Sequence, residues 1–329
     1  MPALRIYLAL AGASAVQGSI RWWVRDHRVH HRFTDTKKDP YGVNNGIWHA
    51  HVGWLLFQRD KSKLTRPDMS DLDSDPVVIW QHRNFLAILF TMAAVLPISV
   101  CGLAWQDWYG GLVYACVIRM FFVHQSTFCV NSLAHWLGSQ PYDDKHSPKD
   151  HLLTAIITFG EGYHNFHHEF PCDYRSAPAW YQYDPTKWLI FMCQAFGLTY
   201  NLKTFSKNDI QKMVLQQQQR TVQTKLKRLE WGLPLNELPV IDWDDFKNNV
   251  TQSRRQWVVI SGTIYDVSGF IDNHPGGRHM IEMAVGRDAT HMFEGGVYSH
   301  SRNAHNMLSM MRVAQLRGGM EVEALKKQI

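Results

Sequence analysis

Histidine is the residue type in this sequence best suited to chemistry, and the arrangement of the 18 histidines is more informative than their number. Residues 27–31 read HRVHH and residues 164–168 read HNFHH, so both segments place imidazoles at positions i, i+3 and i+4. In a helix, three side chains at this spacing project from one face within a single turn. A further histidine, His135, follows Asn131 by one helical turn.

These seven imidazoles predict a site that holds two metal ions. Imidazole nitrogen is a common ligand for first-row transition metals, and seven imidazoles are too many for one tetrahedral zinc with its four ligands. The amide of Asn131 is a poor direct ligand beside so many imidazoles, and Asn131 is expected to hold a metal-bound water. The predicted ligands are His27, His30, His31, His135, His164, His167 and His168.

The remaining composition narrows the class of protein. The five cysteines show no CxxC pair, so neither a disulfide framework nor a zinc site is indicated, and a reducing environment facing the cytosol is expected. The formal charge of +5 is mild. It suits a protein beside an anionic membrane leaflet, and no nucleic-acid partner is expected.

Apolar segments must position the histidines. Residues 85–105 and 112–133 are each long and apolar enough to cross a bilayer as helices, which predicts a transmembrane hairpin. Basic residues precede the hairpin, so the positive-inside tendency assigns both of its ends to the cytosol. Residues 4–20 are also apolar and lead directly into the first histidine segment. We predict that they form a further transmembrane segment, one helix continuing into the site, in preference to a cleaved signal peptide.

The composition changes after residue 200. Residues 201–230 are polar and basic with spaced apolar positions, which predicts either an amphipathic helix on the membrane surface or a solvated spacer. From about residue 238, short strand-like runs alternate with turns and short helices, as in a small α+β domain. The predicted organisation is a membrane domain (1–200), a basic helical linker (201–237), a small domain (238–316) and a tail (317–329).

The histidine motifs resemble those of a known family. RDHRVHH, NSLAHWLG and EGYHNFHHEFP are similar to the second histidine box, the amide–histidine motif and the third box of integral-membrane acyl-CoA Δ9 desaturases. The resemblance implies a mainly helical membrane domain with a histidine-rich cytosolic cap in the endoplasmic reticulum membrane. It also implies a di-iron centre, O2 as co-substrate, and a cis Δ9 double bond introduced into saturated long-chain acyl-CoA.

The same resemblance suggests substrate-binding residues. Gln17, Trp23 and Thr127 match residues that shape the bend of the acyl tunnel, although Trp23 also suits an interfacial anchor. Arg25 and Asp26 match a pair that meets the CoA moiety, and Arg59 is a candidate to join them.

The C-terminal module resembles cytochrome b5, a feature of the fungal desaturases. Residues 270–277 read FIDNHPGG, which implies His274 as one axial ligand of haem b, with His300 as the second and His291 and His305 as competitors. Two axial imidazoles leave the iron no open position, so this domain is expected to transfer electrons. No GxGxxG motif on a βαβ unit is evident, so NADH–cytochrome b5 reductase is the expected donor.

One family motif is absent. The family's first histidine box, HxxxxH, precedes the segment matching residues 4–20, whereas the first histidine here is His27. We expect two of nine iron ligands to be missing, and prefer a fragment or truncated gene model to a genuine short paralogue. Three functions therefore stay open: an acyl-CoA desaturase, a di-iron lipid hydroxylase, and an inactive membrane haem or electron-transfer protein.

Overall fold

A computed structural model describes residues 2–57, 66–296 and 298–319. The chain divides into two compact units, Met1–Thr221 and Val222–Ile329. The first unit is mainly helical, and the second combines short helices with a four-stranded sheet. The predicted fold class, a helical desaturase domain followed by a small α+β domain, is confirmed.

The predicted helix over residues 4–20 is interrupted. Helix α1 (Pro2–Ala13) ends early, and α2 (Ile20–Phe33) begins after a turn. Within the turn, Val16 has φ +58° and Gly18 has φ +96°, a left-handed conformation that a helix does not contain. Ser19 then caps α2, its hydroxyl accepting a hydrogen bond from the Trp22 amide at 3.2 Å. The expectation of one continuous helix was wrong, because the chain turns at the left-handed residues Val16 and Gly18 before Ser19 starts a new helix.

Two apolar helices follow the short α3 (Pro76–Arg83). By length and composition α4 (Phe85–Trp105) and α5 (Trp108–Trp136) can each cross a membrane. Only 17% of the most apolar stretch of α4 and 11% of that of α5 is buried within the protein, unlike the core helices of a soluble protein. Asp107 caps the start of α5 by accepting from the Gly110 amide at 2.6 Å.

A cap of shorter helices surrounds the histidines. Its main helices are α6 (Leu152–Ile157), α7 (His164–Glu169) and α8 (Pro185–Ala195). Asp184 caps α8 by accepting from the Lys187 amide at 2.9 Å. The remaining short turns of helix in this unit are Val43–Asn45, His49–Gly53, Trp54–Leu56 and Ser70–Asp73.

Helix α9 (Lys207–Lys227) occupies the predicted linker and crosses the division between the units. Ile210, Met213 and Val214 on its first half pack against an aromatic cluster that includes Phe166. The sequence had left open a helix on the membrane surface or a solvated spacer, and these contacts show that the apolar positions of this half lie against the protein. Its apolar positions have a protein surface to cover, which periodicity alone does not show. The cluster consists of Tyr142, Phe166 and Phe170.

The second unit is built on a sheet with strand order β1-β4-β3-β2, in which β1 and β4 are parallel and the other pairs antiparallel. Its strands are β1 (Val240–Ile241), β2 (Trp257–Ile260), β3 (Thr263–Asp266) and β4 (Arg312–Leu316). Its helices are α10 (Trp243–Thr251), α11 (Arg278–Glu282), α12 (Thr290–Phe293) and α13 (Arg302–Ser309), with single turns at Leu235–Glu237 and Ile271–Asn273.

Both faces of this sheet are covered. Successive strand residues point to opposite faces, so Val258 and Ile260 join one apolar cluster while Val259 joins Ile264 and Phe246 in another. The small unit therefore has a core of its own on each side of the sheet. The first cluster also forms a wall of the cavity described below.

Candidate metal centre, cavity and haem pocket

Three helices bring all seven predicted ligands together. Helices α2 and α7 each carry three of them, and α5 contributes His135 near its end. The side chains form two groups, and within each group the nearest ligand atoms lie within 4.8 Å of one another. One group consists of His30, His135, His164 and His168, and the other of His27, His31 and His167.

The ring nitrogens converge within each group. The His31 Nε2 atom lies 3.1 Å from His27 Nε2 and 3.0 Å from His167 Nε2. The His168 Nε2 atom lies 3.1 Å from His164 Nε2 and 3.2 Å from His30 Nε2. A neutral imidazole has one N–H and one lone pair, so such converging nitrogens cannot all satisfy one another. A shared metal ion would satisfy them.

Burial favours the neutral, metal-binding form of five of these imidazoles. Removal from water, reinforced by neighbouring histidines, lowers the pKa of His27 to about 3 and that of His167 to about 4. The same causes lower the pKa of His31, His164 and His168. Metal binding requires the deprotonated ring, so no proton has to be displaced at neutral pH.

One buried nitrogen supports the fit to metal. Among the described residues, His135 Nε2 has no hydrogen-bond partner, while its Nδ1 lies 2.7 Å from Ser147 Oγ. A buried polar atom without a partner is costly, and His135 belongs to the four-histidine group. The residues present therefore fit metal ions with nitrogen-rich shells.

A carboxylate orients His30 from outside the group. The His30 Nδ1 atom donates to Asp39 Oδ1 at 2.8 Å, with both side chains buried. Asp39 also accepts from the main-chain amides of Tyr41 at 2.9 Å and Asp35 at 3.1 Å, which hold it in place. This hydrogen bond fixes the ring orientation and the tautomer and directs Nε2 toward the group.

A two-step relay orients His135. Its Nδ1 atom donates to Ser147 Oγ at 2.7 Å, and that hydroxyl donates to Asp35 Oδ1 at 2.6 Å. Sequence reasoning missed these partners. Asp35 and Asp39 could have been suspected, because they closely follow the HRVHH segment, whereas nothing in the sequence marks Ser147.

A cavity of about 1100 Å³ with a mostly apolar wall reaches the histidines. Gln17 and Thr127 lie in this wall, and Gln17 Nε2 donates to Thr127 Oγ1 at 2.6 Å. Trp23 also lines it, stacked on the His27 ring with centroids 4.7 Å apart. The cavity thus brings together three predicted substrate residues and five residues of the predicted metal site, namely His27, His30, Asn131, His164 and His167.

The predicted CoA residues lie elsewhere. Arg25 and Asp26 are outside the cavity lining, and Arg25 Nε donates to the buried Asp26 carboxylate at 2.8 Å. Arg59 lies outside the described residues. The cavity lining instead contains Arg83 and Arg175, neither of which sequence reasoning singled out.

Glu161 is a further cavity residue that sequence reasoning did not assign. Burial, together with the negative charge of Asp184, raises the pKa of Glu161 to about 7. The Ser176 hydroxyl lies 3.4 Å from each of its carboxylate oxygens. The signal available in the sequence was its place in EGYHNFHH, just ahead of the second histidine segment.

The second unit contains its own cavity, of about 640 Å³, lined mainly by apolar side chains together with His274 and His300. The two imidazoles have centroids 6.5 Å apart. The His274 Nδ1 atom contacts the Gly277 carbonyl at 3.3 Å, and His300 Nδ1 contacts that of Phe293 at 2.9 Å. Each Nδ1 therefore carries the proton, and each Nε2 carries the lone pair that a haem iron requires.

The glycines after His274 have distinct roles. A Cβ atom at Gly276 would lie 2.9 Å from His274 Cε1, so a side chain there would displace the imidazole. Gly277 has φ +90°, a conformation that other residues rarely adopt. The competing histidines His291 and His305, both within the described residues, lie outside the cavity lining.

Comparisons with known proteins agree with both sites. The fatty acid desaturase family profile matches residues 2–204, and that of the cytochrome b5-like heme/steroid binding domain matches residues 242–317. A probable acyl-CoA desaturase of Schizosaccharomyces pombe is 52% identical over 324 residues, which cover 98% of this chain and 67% of that protein. The chain belongs to the fatty acid desaturase family.

Other relatives extend this comparison. Acyl-CoA desaturase 1 of Saccharomyces cerevisiae is 46% identical over 314 residues, covering 95% of this desaturase chain and 61% of the yeast protein. Human stearoyl-CoA desaturase is 36% identical over 208 residues, covering 62% of this chain and 58% of that protein. The chain thus spans about three fifths to two thirds of the length of its fungal relatives. Family membership and the b5-like domain assign it a di-iron centre and haem, and the histidine groups are compatible with the irons.

Proposed function

We propose that the protein introduces a cis Δ9 double bond into saturated long-chain acyl-CoA, using O2, a di-iron centre and electrons from its own haem domain. One observation carries the proposal. Two converging histidine groups each contribute residues to a mostly apolar cavity that is also lined by Gln17, Trp23 and Thr127. Acyl-CoA or stearoyl-CoA is the substrate named for several relatives.

The overall chemistry balances with the two cofactors. Desaturation removes two hydrogens from the acyl chain and, with two further electrons and two protons, reduces one O2 to two water molecules. Side chains alone cannot oxidise an unactivated C–H bond, so the di-iron centre supplies the oxidising power. We assign its ligands to the seven histidines, with Asn131 acting through a water.

The protein residues bind and orient the chain. The apolar wall takes the hydrocarbon out of water, while the Gln17–Thr127 hydrogen bond keeps two polar side chains paired within that wall. The indole of Trp23, stacked on His27, offers an apolar face directly beside the metal ligands. The assignment of Arg25, Asp26 and Arg59 to the CoA moiety stays a prediction.

The haem domain would supply the electrons. We assign His274 and His300 as its axial ligands, since both imidazoles line one apolar pocket. Six-coordinate haem transfers electrons without binding O2, and fusion to the desaturase unit raises its effective concentration there. NADH–cytochrome b5 reductase is the proposed electron donor.

We further propose a multi-pass position in the endoplasmic reticulum membrane, with the histidine cap and the haem domain in the cytosol. The two consecutive apolar helices, α4 and α5, are long enough to cross a membrane and contact each other, which supports a hairpin with both ends on one side. Both helical histidine segments, at the end of α2 and in α7, belong to the cap beyond that hairpin. The basic residues before the hairpin support the cytosolic side.

One observation favours a second candidate, an inactive membrane haem protein. The group formed by His27, His31 and His167 offers three imidazoles where the other group offers four. An under-coordinated iron binds weakly. In that case the b5-like domain would retain haem while the desaturase unit performs no oxidation.

Expression in a yeast strain that requires unsaturated fatty acids tests the proposal. Growth with new Δ9 monounsaturated fatty acids supports it, and a His31→Ala variant is expected to abolish growth while retaining haem. Hydroxylated fatty acids would identify a hydroxylase. Haem absorbance without any lipid product would favour the electron-transfer protein.

A further inference from the structure

The first half of α9 lies against the helix that carries the second histidine segment. Helix α7 contains three of the predicted metal ligands in only six residues, and a helix of that length is not stable without packing partners. Phe166, in the middle of α7, is fully buried in the aromatic cluster. Ile210, Met213 and Val214 of α9 pack against this cluster. Part of the packing that holds α7 in place therefore comes from α9.

The position of Phe166 within α7 makes this contact relevant to the ligands. A helix turns by about 100° per residue, so Phe166 points away from the face shared by His164 and His168, which lie two positions before and after it. Its ring packs on those of Phe170 and Tyr142, with centroids 4.9 and 5.4 Å apart. A short helix fixed on one face by large rings presents its opposite face in a defined position. The packing around Phe166 therefore helps to set where the two imidazoles lie.

The contacting residues of α9 form a stripe along that helix. Ile210, Met213 and Val214 follow the spacing i, i+3 and i+4 of one helical face, and the buried Gln217 adds position i+7. Leu215, on another face, is 55% exposed. One defined face of α9 thus makes the contact, and an apolar side chain outside that face is available as a control.

A second contact joins α9 to the loop that precedes α7, residues 139–150. Arg220 Nη1 lies 3.3 Å from Asp143 Oδ1 and 3.2 Å from Asp144 Oδ1. The main-chain carbonyl of Asp143 in turn accepts a hydrogen bond from Asn165 Nδ2 at 2.8 Å. A positive side chain of α9 therefore holds a loop that is bonded directly to α7.

This loop also supports other parts of the metal site. It contains Ser147, whose hydroxyl lies 2.7 Å from His135 Nδ1. Asp150, at the end of the loop, accepts hydrogen bonds from the amides of Asn165 and Phe166 at 2.8 and 3.2 Å, at the start of α7. The loop and α7 form one hydrogen-bonded assembly, and α9 contacts both of its parts.

We propose that the first half of α9 is a positioning element of the metal centre. Met213, through Phe166, and Arg220, through Asp143, hold α7 and the loop so that the imidazoles of the four-histidine group converge. The segment that leads along the chain from the desaturase unit to the haem domain thus takes part in forming the metal site, in addition to tethering that domain. This inference rests on the metal ligands assigned in the proposed function.

Cobalt binding to the full chain, purified in nanodiscs without added metal, tests the proposal without requiring turnover. Co2+ binds imidazole nitrogen in geometries that depend on the ligands offered. Its affinity is measured by competition with a chelator. X-ray absorption at the cobalt K-edge reports the nitrogen neighbours of Co2+ separately from haem iron.

Met213→Ala is expected to weaken Co2+ binding about tenfold and to lower the number of nitrogen neighbours, because α7 loses a contact on the face opposite its ligands. Met213→Leu keeps the side-chain volume and should bind Co2+ within about twofold of wild type. Leu215→Ala is the matched control, since it removes an exposed apolar side chain from the same helix and should leave affinity and coordination unchanged.

Arg220→Ala tests the second contact with a change at the protein surface. It is expected to weaken Co2+ binding about twofold to fivefold, since a half-exposed ion pair contributes little. The difference from wild type should disappear in about 1 M salt, which screens the pair. Lys212→Ala is the matched control, because Lys212 pairs with Asp209 within α9 and contacts neither the loop nor α7 through that pair.

The outcomes separate the two claims. A wild-type chain that binds no Co2+ overturns the assignment of the metal ligands, and the inference fails with it. If wild type binds Co2+ through nitrogen and Met213→Ala lowers only the unfolding temperature, with affinity and coordination as in wild type, the inference alone is overturned. Arg220→Ala decides the case if Met213→Ala cannot be purified, because equal Co2+ affinities for wild type and Arg220→Ala at low salt overturn the inference.

Discussion

Asp35, Asp39 and Ser147 show how much of a histidine site lies beyond the histidines. None of the three belongs to either ligand group, yet His30 and His135 hold their ring orientations through them. Outer partners of this kind raise ligand basicity and select the tautomer that directs the other nitrogen inward. Replacing such partners should therefore lower the metal affinity more than it lowers the free energy of unfolding.

Ser147→Ala is expected to lower the iron affinity about tenfold to a hundredfold, because His135 loses the acceptor for its Nδ1 proton. Iron per chain, measured by atomic emission after dialysis against a weak chelator, reports the change. Ser74→Ala is the matched control, since the Ser74 hydroxyl bonds only to the Asp71 carbonyl in an exposed turn. Equal iron contents in the Ser147 and Ser74 variants would contradict the prediction.

Glu161→Gln should change how stability depends on pH. The folded-state pKa of Glu161, about 7, lies above the ordinary value of 4.5 expected for the unfolded chain. The folded state therefore binds more protons between these values, and its stability falls as pH rises through that window. The variant has no charge to bury and should be more stable than wild type at pH 8, by about 1–3 kcal/mol, but not at pH 4.5.

Thermal unfolding at the two pH values measures the effect of Glu161. The exposed Glu230 offers a control, as Glu230→Gln should shift both midpoints alike. Asp150, whose pKa burial also raises to about 7, contributes in the same direction and stays in the variant. The pH dependence should therefore flatten only in part. A Glu161→Gln curve parallel to wild type would exclude the raised pKa.

At the scale of elements, the break between α1 and α2 places residues 16–19 in the lining of the cavity. The apolar run of residues 4–20 has the composition of one helix, but the helix ends at Ala13 and a new one starts after Ser19. The turn leaves the carbonyls of Ser14 and Ala15 without helical partners, and Arg119 and His124 of α5 donate hydrogen bonds to them.

Gly18→Ala is expected to destabilise the desaturase unit by about 1–3 kcal/mol. A Cβ atom there would lie 2.3 Å from Trp22 Cε3, in addition to the strain at φ +96°. Gly12→Ala is the matched control, since a Cβ at Gly12 within α1 meets nothing within 4 Å. It should be neutral or stabilising by up to about 1 kcal/mol. Similar unfolding midpoints for the two variants in detergent would argue against this role of Gly18.

At the scale of the molecule, the chain joins two units, of which the b5-like unit has a core of its own. The b5-like unit covers both faces of its sheet with its own apolar clusters. Its haem pocket is lined only by residues of that unit. Folding and haem binding by this unit should therefore not require the membrane helices.

A segment comprising Val222–Ile329 is expected to bind one haem with the spectrum of bis-histidine, low-spin iron. His300→Ala should lose that spectrum, while His291→Ala and His305→Ala should keep it. Absorbance of the Soret and visible bands during haem titration distinguishes these outcomes. A low-spin spectrum in His300→Ala that is lost in His305→Ala would reassign the second ligand.

The sequence alone was enough to predict several features of this protein. Two HxxHH segments and His135 identified a two-metal site because helical spacing is a local property. The HPGG motif indicated the haem domain, and the apolar runs of α4 and α5 indicated the membrane hairpin. The desaturase and haem-domain motifs were specific enough to indicate the family.

Only the tertiary structure decided how these parts act together. It divided seven histidines into groups of four and three, placed Ser147 behind His135, and packed part of the supposed linker against Phe166. It also interrupted the first helix, after which His124 and Arg119 donate hydrogen bonds to the carbonyls of Ala15 and Ser14. The physical reason is common to all of these. Spacing along the chain fixes which face a side chain occupies, whereas its partner is chosen by whichever distant segment the packed fold brings within hydrogen-bonding distance.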